Sequence, residues 1–142
     1  MRIGIVANEA SGDLLAASVI LALRELSPDA RFVGVAGPRM AAAGCETLFD
    51  QERLSVMGLV EVLKHLPEQL RLRRQLGDYF LAHPPDLFIG VDAPDFNLTL
   101  ERRLRRAGIP TAHLVSPTVW AWRPGRVKGL RTAVDLVLSI FP

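Results

Sequence analysis

The stretch Ile5-Val-Ala-Asn-Glu-Ala-Ser-Gly-Asp13 decides the fold, because it joins an apolar strand to a helix through a short polar turn. A buried strand is predicted over Arg2–Ala7 and a helix over Leu14–Leu26. In an open α/β sheet, ligands bind between the carboxyl end of a strand and the amino end of the next helix. The stretch therefore predicts an α/β fold with a ligand site in this turn.

Apolar runs and helical patterns alternate along the rest of the chain, which is typical of a parallel sheet with helices on both faces. Further strands are predicted over residues 31–36, 86–91, 111–115 and 134–141. Further helices are predicted over residues 38–43, 61–81 with a break or restart at Pro67, 96–107 and 124–132. We expect one Rossmann-like domain over residues 1–142, and a longer protein of which it is the first half.

The composition excludes several classes of protein. Hydrophobic residues make up 49% of the chain and charged residues 23%, which excludes a disordered chain. The net charge of +2 is too small for a nucleic-acid-binding tail. One cysteine, Cys45, fits a reducing compartment. Because no apolar run reaches the length of a membrane span and the first strand begins at Arg2, we expect neither an anchor nor a signal peptide.

Candidate site residues in the first turn are Glu9, Ser11, Gly12 and Asp13. Gly12 permits close backbone approach, and the free amides of the helix that follows attract anions. The structural alternative is that Ser11 or Asp13 caps this helix, whereas Glu9 precedes the cap. The glycine fingerprint of dinucleotide sites and the phosphate loop of ATP sites are both missing, so no nucleotide cofactor is predicted.

Two carboxylates follow the predicted strand over residues 86–91. Asp92 comes directly after the strand, where a carboxylate can accept a proton from a hydroxyl nucleophile. Asp95 is a second candidate for that role, although its position before Phe96 is also that of a helix N-cap. No histidine lies near this pair in the sequence, so no metal site is predicted.

The segment 113–123 supplies a third set of candidates at the end of another strand. Ser116 leaves the strand, and Trp122 and Arg123 follow it. Tryptophan beside arginine suits a sugar face and a phosphate, while one of Trp120 and Trp122 is expected to be core. Ser116 has no partner for a catalytic triad.

Two further surfaces have an open interpretation. Arginines at 102, 103, 105 and 106, and basic residues over 123–131, suit phosphate or an anionic membrane, or else form a solvated helix face. The apolar segment 56–63 is either core or a patch that contacts a lipid chain or a membrane.

Five segments in this order resemble the amino-terminal half of the lipid A disaccharide synthase family, and the resemblance covers essentially the whole chain. They are Glu9-Ala-Ser-Gly-Asp13, Phe32-Val-Gly-Val-Ala-Gly-Pro-Arg-Met40, Val56-Met-Gly-Leu-Val-Glu61, Asp92-Ala-Pro-Asp-Phe-Asn97 and Ser116-Pro-Thr-Val-Trp-Ala-Trp-Arg123.

The resemblance implies one half of a two-domain glycosyltransferase-B fold, in which the carboxyl-terminal half holds most of the nucleotide-sugar. It implies an inverting transfer of 2,3-diacylglucosamine from UDP to 2,3-diacylglucosamine-1-phosphate, giving a β-1,6 disaccharide of lipid A and UDP. It further implies a cytoplasmic protein peripheral to the inner face of the inner membrane. It leaves a homodimer open.

The resemblance also implies roles for those residues of this chain that match the family's motifs. Asp92 matches the proposed base, and Glu9, Ser11 and Asp13 match the first-turn site. Asn97, Trp122 and Arg123 are further candidates for acceptor contacts. Asn8 departs from the family, where glycine is common at this position.

Two alternatives to a glycosyltransferase half remain open at this point. One is a non-catalytic lipid- or membrane-binding fragment of the same fold. The other is a nucleotide-binding domain of the flavodoxin or Rossmann type. Because the donor-side half lies outside these 142 residues, we expect little or no transferase activity from the chain alone.

Overall fold

The fold is a parallel sheet of six strands with four helices, seen in a computed structural model that describes residues 1–50, 59–115 and 135–139. The strands are β1 (Arg2–Ala7), β2 (Arg31–Ala36), β3 (Cys45–Asp50), β4 (Leu87–Val91), β5 (Thr111–Val115) and β6 (Leu136–Ser139). The helices are α1 (Ala10–Leu26), α2 (Pro38–Ala42), α3 (Leu59–Ala82) and α4 (Pro94–Arg106).

The strand order is β3-β2-β1-β4-β5-β6, and every adjacent pair is parallel. The chain moves outward from β1 to β3, then returns across the sheet to place β4 on the other side of β1. This reversal between β1 and β4 is the topological switch point of a doubly wound sheet. The predicted fold class is confirmed, and the carboxyl ends of β1 and β4 lie side by side.

Residues of the inner strands alternate between two hydrophobic layers, as the two-residue period of a strand requires. On one face Ile3 and Ile5 of β1 pack with Ile20 of α1 and Met40 of α2. On the other face Val6 joins side chains of α3 and α4, among them Leu72, Leu76, Phe80, Leu100 and Leu104. The sheet is therefore covered on both faces, with α1 and α2 on one and α3 and α4 on the other.

The helix boundaries differ from the prediction at two places. Helix α1 begins at Ala10, four residues earlier than expected, so most of the predicted turn is helical. Helix α3 continues through Pro67, where a break or restart was predicted. A proline removes one hydrogen bond from the helix interior, but the buried residues Leu72, Leu76 and Phe80 hold the following turns against the sheet.

Strand β3 was not predicted, because its pattern is that of an edge strand with mixed polarity. Glu46 and Thr47 are exposed, whereas Cys45 is buried. The pairing with β2 shifts register between Gly34 and Val35, where one extra residue of β3 makes a bulge. Pro38–Ala42 and the left-handed Gly44 that follows confirm the predicted short helix.

Some predicted elements lie outside the described residues. These are the helix over residues 124–132, the ends of the strand predicted over residues 134–141, and residues 56–58 of the apolar segment.

Two glycine-to-alanine substitutions test this account of the packing. A Cβ at Gly34 would collide with the backbone carbonyl of Ile5, so Gly34→Ala is expected to lower the free energy of unfolding by about 1–3 kcal/mol. Gly77→Ala is the matched control. Its methyl group meets only the movable end of Arg103, and a gain in helix propensity of about 1 kcal/mol offsets the disturbed surface ion pair of Arg103 with Asp78. Urea unfolding measures both variants, and equal stability of the two would contradict the account.

Candidate functional site

The candidate site lies at the switch point, where two neighbouring strands end in polar residues. Ala7 and Val91 are paired as the last residues of β1 and β4. Asn8 and Glu9 continue from β1, and Asp92 continues from β4. The structure therefore brings together the two segments that the sequence predicted, at the edge of the sheet where doubly wound folds bind ligands.

Glu9 occupies the N-cap position of α1, with extended backbone angles φ −136° and ψ 165°. Its side chain makes no capping hydrogen bond to the helix and is exposed. The expectation that Ser11 or Asp13 caps α1 is wrong, because both lie within the first turns of the helix. Glu9 therefore presents a carboxylate to solvent beside the first amides of α1.

Ser11 and Gly12 belong to the first turn of α1. This turn is closed by the hydrogen bond from the Asp13 amide to the Glu9 carbonyl. Ser11 is exposed, whereas Gly12 is buried. A Cβ on Gly12 would stand 3.4 Å from both the Ala7 Cβ and the Val91 Cγ1. The close approach that Gly12 permits is thus the contact of α1 with the sheet at the switch point.

Asp13 has a structural role that the sequence did not reveal. Its Oδ1 accepts hydrogen bonds from the amides of Gly37 (3.1 Å) and Met40 (2.9 Å), and its Oδ2 from the amide of Arg39 (2.9 Å). The side chain is only 2% exposed. Asp13 therefore caps α2, whose N-cap residue Gly37 lies 24 residues further along the chain, and both carboxylate oxygens of Asp13 are used there.

The turn after β4 has an unusual backbone. Asp92 and Ala93 both have positive φ, 48° and 41°, although neither is glycine. The Asp92 amide donates a hydrogen bond to the Leu114 carbonyl (2.8 Å), which extends the ladder between β4 and β5 by one residue. Asp92 is half-buried at the end of its strand. Consecutive left-handed residues are typical of functional turns that the surrounding structure holds in place.

Asn97 lies beneath this turn rather than at the surface. Its side chain is fully buried, and its Nδ2 donates to the carbonyls of Asp92 (2.9 Å) and Val91 (3.2 Å). The predicted contact of Asn97 with an acceptor is thus replaced by a contact with the Asp92 turn.

Asp95 is the second residue of α4, since Ala93 is the N-cap and Pro94 opens the helix. The predicted N-cap role of Asp95 is therefore wrong by two residues. The other predicted site residues, Ser116, Trp122 and Arg123, lie outside the described residues.

A buried polar pair next to this turn was missed in the sequence. His113 Nδ1 of β5 and Glu101 Oε1 of α4 are 2.7 Å apart, and neither side chain is exposed. Burial raises the pKa of the Glu101 carboxyl, and the hydrogen bond with His113 opposes that rise. One signal was present in the sequence, because Glu101 stands four residues after Asn97 and therefore on the same face of a helix.

Cys45 lies at the amino end of β3, the opposite end of the sheet from this site. Burial raises the pKa of the Cys45 thiol to about 12, so Cys45 carries no thiolate at neutral pH. Within residues 1–50, 59–115 and 135–139, no three side chains of His, Cys, Asp or Glu come together as a metal site.

Comparison with known proteins shows which family the chain belongs to. Residues 3–142 match the family described as lipid-A-disaccharide synthetase. The chain belongs to this family. A lipid-A-disaccharide synthase of Methylobacillus flagellatus is 60% identical over 140 residues, which are 99% of this chain and 37% of that protein. One from Aeromonas hydrophila is 57% identical over 142 residues, 100% of this chain and 38% of that protein. The chain thus spans a little over a third of the length of these lipid-A-disaccharide synthases.

Solved structures agree with the fold. A UDP-GlcNAc 2-epimerase from Neisseria meningitidis superimposes with a TM-score of 0.64 at 13% identity, covering 98% of this chain and 40% of that one. The expected fold class, a Rossmann-like half of the glycosyltransferase-B fold, is confirmed for this member of the lipid-A-disaccharide synthetase family.

None of the helices in the described part of the chain combines the length and apolar character needed to cross a bilayer.

The role of Asp13 is tested by its removal. Asp13→Ala leaves three amides at the start of α2 without their acceptor, two of them buried, and is expected to lower the free energy of unfolding by about 2–4 kcal/mol. Asp29→Ala, at an exposed aspartate, is the matched control and should change it by less than about 0.5 kcal/mol. Chemical denaturation of the two variants measures the difference, and an Asp13→Ala protein as stable as the control would exclude the capping role.

Proposed function

We propose that this chain is the acceptor-side half of a lipid A disaccharide synthase. The reaction transfers 2,3-diacylglucosamine from UDP to 2,3-diacylglucosamine-1-phosphate and forms a β-1,6 disaccharide and UDP. Family membership supports the reaction. The observation that carries the assignment of this half is the placement of Asp92 at the carboxyl end of β4, beside the first turn of α1.

Asp92 is the proposed general base. Its carboxylate accepts the proton of the acceptor 6-hydroxyl as the hydroxyl oxygen forms a bond to the anomeric carbon of the donor. The bond between that carbon and the UDP oxygen breaks at the same time, and UDP leaves with the electron pair. Attack from the face opposite to UDP inverts the anomeric configuration. Asp95 is the alternative base.

The first turn of α1 is proposed to hold the acceptor. Glu9 is exposed and accepts hydrogen bonds from sugar hydroxyls, while Ser11 and the free amides at the start of α1 donate to acceptor oxygens. Three further residues are proposed to contact the acceptor: Ser116, Trp122 and Arg123. The indole of Trp122 would lie against the sugar face, and the guanidinium of Arg123 would bind phosphate. Asp13 and Gly12 contribute by holding this turn in place.

The donor is proposed to bind mainly to the part of the protein that lies beyond the span matched here. The chain covers 37–38% of its curated relatives, and the solved epimerase that shares its fold was determined with UDP-GlcNAc. We propose that residues 1–142 on their own hold little of the donor site and are inactive without the complementary half.

We further propose that the protein works at the cytoplasmic face of the inner membrane as a peripheral protein. Helices α3 and α4 carry exposed arginines that suit an anionic surface, namely Arg71, Arg74 and Arg106. Both substrates carry acyl chains, which keeps them at that surface.

A disaccharide-forming assay tests the function directly. UDP-2,3-diacylglucosamine and 2,3-diacylglucosamine-1-phosphate are supplied to this chain alone and to this chain with a separately expressed carboxyl-terminal half of the Methylobacillus flagellatus relative. Product is expected only on mixing. Binding of the acceptor without product in either sample would favour the non-catalytic lipid-binding alternative. Tight binding of a flavin or dinucleotide would favour the nucleotide-binding one.

The role of Asp92 is tested in the mixed, active preparation. Asp92→Asn is expected to lower kcat by a factor of roughly 100 or more, because the amide cannot accept the proton. Asp86→Asn, at the opposite end of β4, is the matched control and should leave kcat within about twofold. A near-normal rate for Asp92→Asn, with a large loss for Asp95→Asn, would transfer the role to Asp95.

A further inference from the structure

The turn that carries Asp92 has a backbone conformation that its own residues disfavour. Asp92 and Ala93 both occupy the left-handed region, which the Cβ atom disfavours, and Pro94 restricts Ala93 further. Such a backbone persists only where neighbouring groups fix it. The contacts that fix it therefore decide where the Asp92 carboxylate stands.

Asn97 supplies two of these contacts from inside the protein. Its amide group donates to the carbonyls on both sides of the Val91–Asp92 step, at 3.2 and 2.9 Å. A third contact is the hydrogen bond from the Asp92 amide to Leu114. Asn97 lies in the first turn of α4. The position of α4 on the sheet therefore sets the position of the Asn97 side-chain amide.

The Glu101–His113 pair fixes α4 to the sheet one helical turn further along. Gly90 and His113 are paired residues of β4 and β5, so Glu101 reaches the sheet directly below the turn. A Cβ on Gly90 would fall on the Glu101 Oε1 and stand 3.1 Å from the Asn97 Cβ. Because Gly90 has no side chain, Asn97 and Glu101 of α4 can both pack against the strands at this point.

We propose that Asn97 and the Glu101–His113 pair form one buried network whose function is to position Asp92 for catalysis. None of the three side chains is exposed, so they act through the turn and not by touching substrate. This inference rests on the proposed function of Asp92 as the base. It makes Asn97, Glu101 and His113 positioning residues.

A positioning network predicts a loss of kcat without a loss of substrate binding. Misplacing a reacting group by about 1 Å costs on the order of 100-fold in rate, whereas KM changes little when the substrate contacts remain. The turn itself should also become less protected against hydrogen exchange, because the hydrogen bond from the Asp92 amide is held by the same contacts.

The test uses this chain mixed with the carboxyl-terminal half, and compares kcat, KM and hydrogen exchange of the peptide over residues 91–97. Asn97→Asp removes the donor at constant size and is expected to lower kcat about 10–100-fold, to leave KM within about twofold and to speed exchange. Glu101→Met breaks the pair with His113 and should act in the same direction. Glu101→Gln keeps a hydrogen bond to His113 and should restore both kcat and protection.

The matched control is Thr99→Ala on the exposed side of the same helix, expected to behave as the unsubstituted protein. Wild-type kcat and exchange in Asn97→Asp would overturn the proposal. So would a rise in KM alone, which would make Asn97 a substrate contact. If Asn97→Asp does not fold, Glu101→Met is compared with Glu101→Gln. Equal kcat and equal hydrogen exchange in these two variants would overturn the proposal. If the unsubstituted mixture forms no disaccharide, the proposed function fails, while the exchange of residues 91–97 still tests the network.

Discussion

The pairing of β1 with β4 is the constraint on which the rest of this structure depends. It places two strands from distant parts of the chain at the centre of the sheet, with β2 and β3 on one side and β5 and β6 on the other. The helices then divide between the two faces, because each crossover must return over the sheet. It also aligns the ends of β1 and β4, so that Glu9 and Asp92 leave the sheet at the same edge.

Five of the six strands, and the meeting of the Glu9 and Asp92 segments at one end of the sheet, were predictable because they depend on local patterns. The apolar run over Arg2–Ala7 and the run that ends at Val91 are recognisable without knowledge of their partners. Strand β3 was not recognisable, since an edge strand needs less apolar surface and the bulge interrupts its alternation. The start of α1 was missed because Ala10, Ser11 and Gly12 resemble a turn, whereas Gly12 packs against the ends of β1 and β4 within the first turn of the helix.

The roles of the polar residues were less predictable than their positions. Asp13 was expected to cap its own helix or to bind substrate, but its partners are 24–27 residues away, at the N-cap and in the first turn of α2. The same holds for Asn97, whose partners are backbone carbonyls of a turn with left-handed residues. A local pattern shows that a polar residue is near a strand end. Only the packed fold shows whether it faces solvent or the protein interior.

The pairing of β1 with β4 also sets the order in which the chain completes its structure during synthesis. The first strand leaves the ribosome more than 80 residues before its partner, as the bond from the Arg2 amide to Asp86 illustrates. Until then β1 pairs with β2, and the edge that will receive β4 is open to strands of other chains. Helices α1 and α2 cover one face during this interval, and the second face stays bare until α3 arrives ahead of β4. A nascent chain of this topology is therefore most exposed to aggregation before α3 emerges, when one face of the sheet and one edge of β1 are both uncovered.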